Sequence, residues 1–409
     1  MGNNTPQVRF EGFTDAWVQR ALGEIVDFYS GLTYSPENVV ESGGTFVLRS
    51  SNVSGGEIIN ADNVYVDSDV VNCDNVNIGD VIVVVRNGSR SLIGKHAQIK
   101  SEIVNTVIGA FMTGLRSNQA NFVNALLDTS QFNIEITKNL GATINQITTG
   151  AFKKMIFYVS EMDNEQIAIG TFFRTLDNCI AINQRKYDGL KKLKAAYLQQ
   201  MFPQAGERVP RVRFEGFTGE WKEVALGEIT ERVTRKNTNL ESSLPLTISA
   251  QHGLIDQTEF FDKQVASRDV SGYFLVMNGE FAYNKSYSNG YPWGAVKRLD
   301  RYDMGVLSVL YIVFKPTAIE SNFLVQYYET DKWHTEIIKY AAEGARNHGL
   351  LNISPTDFFK TILVVPKNTE EQIAIGDFFR NLDTQITTQA DKTEQLKRLK
   401  TAHLQKMFV

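Results

Sequence analysis

Apolar residues recur at steps of four and three over two long stretches of the chain. In the first they fall at Ile169, Phe173, Leu176, Ile180, Tyr187, Leu190, Tyr197 and Met201, with Asn183 and Lys194 on the same stripe. In the second the same register reads Ile375, Phe379, Leu382, Ile386, Leu396 and Met407, with Gln389, Thr393, Lys400 and His403 interleaved. This spacing predicts helices that pack along a helix–helix seam. A polar residue, Asn183 or Gln389, breaks each stripe at the same place, and a lysine follows at the same distance in both. Polar residues within a seam cost stability but fix register and partner. Asp163 and Thr369 each precede a glutamine by three positions, the spacing of a capping box at a helix start. About forty residues at about 1.5 Å rise make rods of roughly 60 Å. The matched register and matched breaks predict that the rods pair with each other, antiparallel, with Asn183 and Gln389 near the middle.

Elsewhere the pattern changes to short apolar, β-branched or aromatic runs between turn formers, the signature of strands. Phe46 to Asn52, Gly79 to Arg86 and Phe152 to Val159 read this way, as do Leu246 to Ala250, Gly272 to Tyr283 and Phe358 to Val365. Ser321 to Tyr328 and Thr335 to Ala342 read as amphipathic helices.

The helical stretches are also the repeated ones. EQIAIGTFFRTLD begins at Glu165 and EQIAIGDFFRNLD at Glu371; YLQQMF from Tyr197 recurs as HLQKMF from His403. A second frame element, VRFEGFTDAWVQRALGEI from Val8, returns as VRFEGFTGEWKEVALGEI from Val212. Between the halves lies PQAGERVPR, Pro203 to Arg211, rich in helix breakers. The stretches enclosed by the frames, Val26 to Ser160 and Thr230 to Val365, share no comparable identity. Two similar frames hold two different inserts, and self-similarity at this period sets the fold.

Composition narrows the class. The chain has 409 residues, 43% hydrophobic and 22% charged, enough for two or three domains with their own cores. Cys73 and Cys179 stand alone, which argues against a disulfide framework or structural zinc and fits a reducing cytoplasm. The opening residues lack the basic and apolar regions of a signal peptide, and the longest apolar runs, such as Val81 to Val85, are too short to cross a bilayer. A cytoplasmic location without membrane contact is expected.

The order of frames and inserts, with EQIAIG and FF…LD opening each long helix and LQQMF or LQKMF closing it, resembles the specificity subunit of type I restriction–modification systems, over essentially the whole chain. The resemblance implies an α+β fold: two strand-rich target recognition domains joined by two long antiparallel helices, with a pseudo-two-fold internal repeat. The expected divisions are a first recognition domain over 1–160, a spacer helix over 161–202, a linker over 203–211, a second recognition domain over 212–366 and a second spacer helix over 367–409. Each domain would read one half of a split, asymmetric double-stranded DNA target. The helices would act as the ruler and dock two copies of a methyltransferase subunit, with a restriction or translocase subunit as a further possible partner. Half-sites on one face of B-DNA lie about 34 Å apart per turn, within reach of such a rod. No cofactor is expected on this chain; S-adenosylmethionine, and ATP with magnesium where a nuclease is present, would belong to the partners. The chain is expected to be non-catalytic.

Base contacts come from polar and basic residues in loops beside strands, with arginine suited to guanine edges and asparagine or glutamine to adenine. In the first insert these are Arg49, Ser50 and Asn52, then Arg86, Asn87, Ser89, Arg90 and Lys95, then Asn145 and Gln146 in a loop led by Gly141. In the second they are Gln251 and His252, Lys285, Ser286 and Tyr291, and Arg346, Asn347 and His348. Arg86 or Arg90, and Arg346 with Asn347, come first; Tyr287, Tyr291 and Trp293 are candidates to pack on a base, sugar or backbone. Phe173, Leu176, Ile180, Asn183, Leu190, Phe379, Leu382, Ile386, Gln389 and Leu396 are assigned to the helix seam.

Enzymatic readings fare poorly. Gly88 to His96 has one residue too many for a phosphate loop and His96 where a hydroxyl should follow the lysine. There is no HExxH pair among the scattered histidines, and no glycine-rich turn for a methyl donor. Asp80 and Glu280, each after a glycine, read as turn residues that could also accept from cytosine. The net charge of −4 opposes unaided DNA binding, which draws on a basic excess. Either Arg86, Arg90, Lys95, Lys285, Lys297, Arg298 and Arg346 are segregated to one face, or partners supply the phosphate clamp. The alternative class is a pseudo-symmetric protein-interaction scaffold.

Overall fold

The computed structural model describes residues 4–140, 145–249, 253–261, 266, 267, 269–286, 291–341, 351 and 353–409. The chain forms two compact units, Met1–Arg185 with Ala390–Val409, and Lys186–Gln389. The division falls inside both long helices, Asp163–Gln200 and Thr369–Met407, so each unit contains a stretch of both.

In the first unit a four-stranded antiparallel sheet runs in the order Asp27–Ser30, Met112–Arg116, Val81–Val84, His96–Gln98. Val81–Val84 is central and buried along its whole length, which is why four consecutive apolar residues suit it. A second sheet pairs Thr106–Ile108 parallel to Thr45–Leu48, followed by Val64–Val66 and Val39–Val40. The frame strand Val18–Ala21 pairs antiparallel with Ile156–Val159. The second unit repeats the main sheet as Thr230–Val233, Ile312–Pro316, Phe281–Asn284, Ala295–Arg298, and the frame pairing as Lys222–Ala225 with Ile362–Val365. The inserts, unlike in letters, share this sheet plan, because a buried strand constrains hydrophobicity and not identity.

Several strands are shorter than the apolar runs that predict them. Phe46 to Asn52 gives a strand only to Leu48, then a 3₁₀ turn at Ser50–Asn52 closed by the Asn52 side chain on the Arg49 amide. Phe152 lies in a short helix capped by Thr148, and Phe358 in one capped by Ser354; the strands begin at Ile156 and Ile362. Gly272 to Tyr283 divides into Phe274–Met277 and Phe281–Asn284, with the turn made at Gly279 by its positive φ of 83°. The two helices of the second insert are present as Ser321–Glu329 and His334–Tyr340. No capping box starts the long helices: Gln166 and Gln372 donate to the Ser160 and Pro366 carbonyls instead.

The repeated frame letters meet in space. Arg9 donates from Nε and Nη2 to both oxygens of Glu165 at 2.7 and 2.8 Å, and the Trp17 indole adds a third bond at 3.1 Å. In the second unit Arg213 and Trp221 hold Glu371 the same way, at 2.6, 2.7 and 3.3 Å. Both carboxylates are buried. The first frame element thus grips the first turn of the long helix, and the repeated Arg, Trp and Glu are one node written twice.

Within each unit the helix stretches run antiparallel. In the first, Phe172 packs on His403, Phe173 on Phe408, and Gln184 accepts from Lys397. In the second, Lys194 pairs with Asp383 and Tyr197 packs on Phe378. Phe173, Leu176, Asn183, Phe379 and Leu382 are buried, while Ile180, Leu190, Ile386, Gln389 and Leu396 are half-buried. Asn183 donates to the Cys179 carbonyl one turn back.

The glycine of EQIAIG marks a close approach. A Cβ at Gly170 would lie 2.6 Å from the Phe122 backbone nitrogen, and one at Gly376 2.8 Å from that of Phe323. Gly170→Ala is expected to destabilise by about 1–3 kcal/mol, because insertion into a packed contact forces the elements apart. Gly189→Ala, on the same helix with nothing within 4 Å, is expected to stabilise by about 0.5–1 kcal/mol. Denaturant melts of the two variants check both signs.

Candidate nucleic-acid interface

Three loops far apart in sequence converge at one end of the first unit's main sheet. Arg86, just past the strand Val81–Val84, pairs through its backbone with Gln146. The Asn87 amide donates to the Asn145 carbonyl, and Asn145 Nδ2 returns a bond to the Gly88 carbonyl at 3.0 Å. Asn87 Nδ2 reaches Ser50 Oγ at 3.0 Å, and Lys95 Nζ reaches the Ser50 carbonyl at 3.3 Å. Asn87 Oδ1 accepts from the Ser89 amide, holding the RNGSR turn. Arg86, Ser89 and Arg90 are exposed at its rim, and neither arginine has a carboxylate partner among the described residues.

The expected residues are not equally placed to reach a ligand. Asn52 is fully buried: its amide donates to the Ala61 carbonyl and Asn63 Oδ1, and its oxygen accepts from Arg49. It shapes the loop and is withdrawn as a base reader. Arg49 is partly committed, with Nη2 on the carbonyl and carboxylate of Asp62. Phe111 was not anticipated. Its ring is 50% exposed and the Arg86 guanidinium lies 4.8 Å from its centroid. An aromatic in an apolar run reads as core, so only its place at the sheet's end marks it out. Phe111, Tyr34, Arg49, Ser51 and Asn87 line an open groove of about 680 Å³.

In the second unit Lys285, Ser286 and Tyr291 flank a stretch outside the described residues, which also contains Tyr287. The Lys285 carbonyl accepts from the Leu351 amide, and burial pushes its ammonium below the usual lysine range. Ser286 is held by Asn284 Oδ1, and Tyr291 is exposed. Trp293 packs against the core and its carbonyl accepts from the Tyr283 hydroxyl, so it is a packing residue. Gln251, His252, Arg346, Asn347 and His348, with Gly141 and Thr143 of the first unit, lie outside the described residues.

Two carboxylates and two cations prove structural. Asp80 is buried, accepting from Tyr29, the Asn77 amide and Arg116; Glu280 accepts from the Met277 amide and Arg235. Each ties off the turn at the start of a central strand, and neither is open to a cytosine. Lys297 pairs with Glu329 at 2.5 Å and Arg298 with Asp300 at 2.6 Å, which removes both from the set of free cations. His403 stacks edge-on against Phe172 in the helix seam. Among the described residues no group of three His, Cys, Asp or Glu could hold a metal ion, and no helix is long and apolar enough to cross a membrane.

Residues 14–192 match the model of the type I restriction modification DNA specificity domain. No curated protein sequence matches the chain. Among solved structures, the chain is similar to the type I restriction-modification system S subunit from M. genitalium, with 16% identity, 99% of each chain covered and a TM-score of 0.64. It also aligns with the HsdS subunit from Thermoanaerobacter tengcongensis, at 15% identity over 96% of each chain and a TM-score of 0.39. A third alignment is to a structure described under complex assembly and conformational transition of the type I R-M system, at 15% identity over 96% of this chain and 97% of that one, with a TM-score of 0.47. Only the first of the three is close enough to speak to the fold, and it does so end to end. The family match is thus to the type I restriction modification DNA specificity domain over residues 14–192, and the second half of the chain repeats the frame that this segment carries.

Proposed function

We propose that the chain selects the DNA site for a type I restriction–modification complex, each insert reading one half of a split, asymmetric double-stranded target, while performing no bond chemistry itself. The observation that carries this reading is the convergence of Arg86, Asn87, Ser89, Arg90, Asn145 and Gln146 on one rim, with neither arginine bound to a carboxylate among the described residues and an exposed aromatic beneath one of them. An unpaired exposed arginine on a rigid sheet end is suited to phosphates and guanine edges. Two unlike inserts on like frames account for two unlike half-sites. The paired helices serve as the ruler and as the docking surface for two methyltransferase subunits, and a restriction subunit joins where one exists. In this reading S-adenosylmethionine, ATP and magnesium are handled by those partners.

The mild acidity of the chain supports a reading in which the partners supply much of the phosphate clamp and binding by the chain alone is weak and falls with salt. In the assembled complex, replacing Arg86 and Arg90 by alanine is expected to lower the slope of log affinity against log salt by about 2, one phosphate contact each at about 0.9. Titrations at several salt concentrations measure it. An unchanged slope with an intact complex would favour a scaffold that grips proteins alone.

A further inference from the structure

The lysine that recurs on both helical stripes touches more than the seam. In the first unit Lys400, on the second long helix, lies 2.5 Å from Asp177 of the first long helix and 2.6 Å from Asp128 of the insert. Asp128 closes the insert helix Ala120–Leu127, and its other oxygen is 3.4 Å from His96 Nε2 on an edge strand of the main sheet. Lys400, Asp177 and Asp128 are 17%, 19% and 26% exposed. Three bodies therefore meet at one ammonium: both helices and the reading domain.

The second unit repeats the arrangement with the helices exchanged. Lys194, on the first long helix, binds Asp383 of the second at 2.6 Å, and the free oxygen of Asp383 accepts from Gln326 at 3.2 Å. Gln326 belongs to the insert helix Ser321–Glu329. Lys194 and Lys400 are the same letter of the repeat, as are Asp177 and Asp383.

We propose that Lys400 and Lys194 are positioning residues that set the orientation of each insert on its stretch of helix, so that a side chain from one repeat governs the half-site read by the other repeat's insert. The proposal rests on the reading of the inserts as DNA-recognition domains. Apolar packing between insert and helix is non-directional and tolerates rocking. Charge-assisted bonds, such as those from Lys400 to Asp128 and Asp177, have a defined geometry. Base reading tolerates displacements of only about 0.5 Å, so a small tilt at the junction degrades discrimination before it degrades binding. Burial works against the Asp128 carboxylate, yet the His96 and Lys400 contacts hold it down at about 2, well below the usual range, so this carboxylate stays ionised at neutral pH. Asp177 shares the lysine without a histidine, and burial pushes its carboxyl up. The junctions differ at their outer ends. In the first the insert contributes the Asp128 carboxylate, whereas in the second it contributes the neutral amide of Gln326, whose buried oxygen has no hydrogen-bond partner among the described residues.

The test uses the full chain in its complex with the methyltransferase subunits and maps adenine methylation across a genome. Half-sites are first assigned by exchanging residues 26–160. Lys400→Met keeps the aliphatic stem, and Asp128→Asn removes the insert's charge, and with it the ionic contacts to Lys400 and His96, while leaving Lys400 on Asp177. Both are expected to raise methylation at sites mismatched in the first insert's half-site about tenfold, within the range that one mismatch contributes. The second half-site should be read as before, and Lys194→Met should give the converse. A fall in methylation at all sites in parallel with the motif intact, as a merely structural residue would give, overturns the proposal. So does relaxation of the wrong half-site. A wild-type complex with no split motif at all would overturn the DNA-recognition reading, and this proposal with it.

Discussion

Glu165→Gln is expected to cost the first unit about 3–5 kcal/mol, because removing one member of a buried ion pair leaves the other charged and uncompensated. The glutamine can still accept from Trp17, but Arg9, only 10% exposed, loses both charge-assisted bonds. Glu371→Gln should do the same to the second unit through Arg213. Replacing the Arg9–Glu165 pair by leucine and methionine should be far milder than either single change, since a well-packed apolar substitute is often neutral. The node also sets an acid dependence. Burial pushes the Glu165 carboxyl up, but the bonds from Arg9, Ser160 and Trp17 outweigh it and hold the group below its ordinary value. A lowered folded value means stability present above the unfolded carboxylate range, near pH 4, and lost as pH falls through the folded value. Wild-type stability should decline with acid more steeply than that of the double apolar variant, in denaturant melts from pH 6 downward.

Phe202→Ala is expected to cost the second unit about 3–5 kcal/mol. The ring is 1% exposed and packs against Trp221, Phe323, Tyr327 and Phe379. Too many elements share that space for the cavity to collapse. Its counterpart is Phe408, which closes the second repeat but packs on Trp17, Phe122 and Phe173 in the first unit. The closing letters of each repeat therefore complete the core of the unit that holds the other repeat's insert, and Phe408→Ala should unfold the first unit at lower denaturant. Tryptophan emission reports both, from Trp221 for one and Trp17 for the other.

The repeat made most of the frame legible. The stripe from Ile169 to Met201 and its copy announced the long helices, and the seam positions follow that register. Its partners were not legible: nothing in the spacing says that Glu165 faces Arg9, or that Phe408 belongs with Trp17, because those contacts join residues far apart in sequence. The apolar runs overrun the strands at Asn52, Phe152 and Phe358, where a capping Ser, Thr or Asn bond turns the chain. In the candidate interface, the RNGSR turn stood out by composition, and its closure on Asn145 and Ser50 needed the fold. Asn52, Lys297 and Arg298 looked like DNA ligands because a side chain's type does not reveal its commitments; each spends its polar atoms inside the protein. Phe111 was missed for the opposite reason, being apolar in sequence and exposed in place.

Adenine methylation mapped genome-wide, in cells carrying the methyltransferase subunit with and without this chain, tests the central claim most directly. A split, asymmetric motif methylated only when the chain is present is the result expected of a specificity subunit with two unlike readers. A formed complex that methylates the same sites with or without the chain, or none in either case, would contradict it.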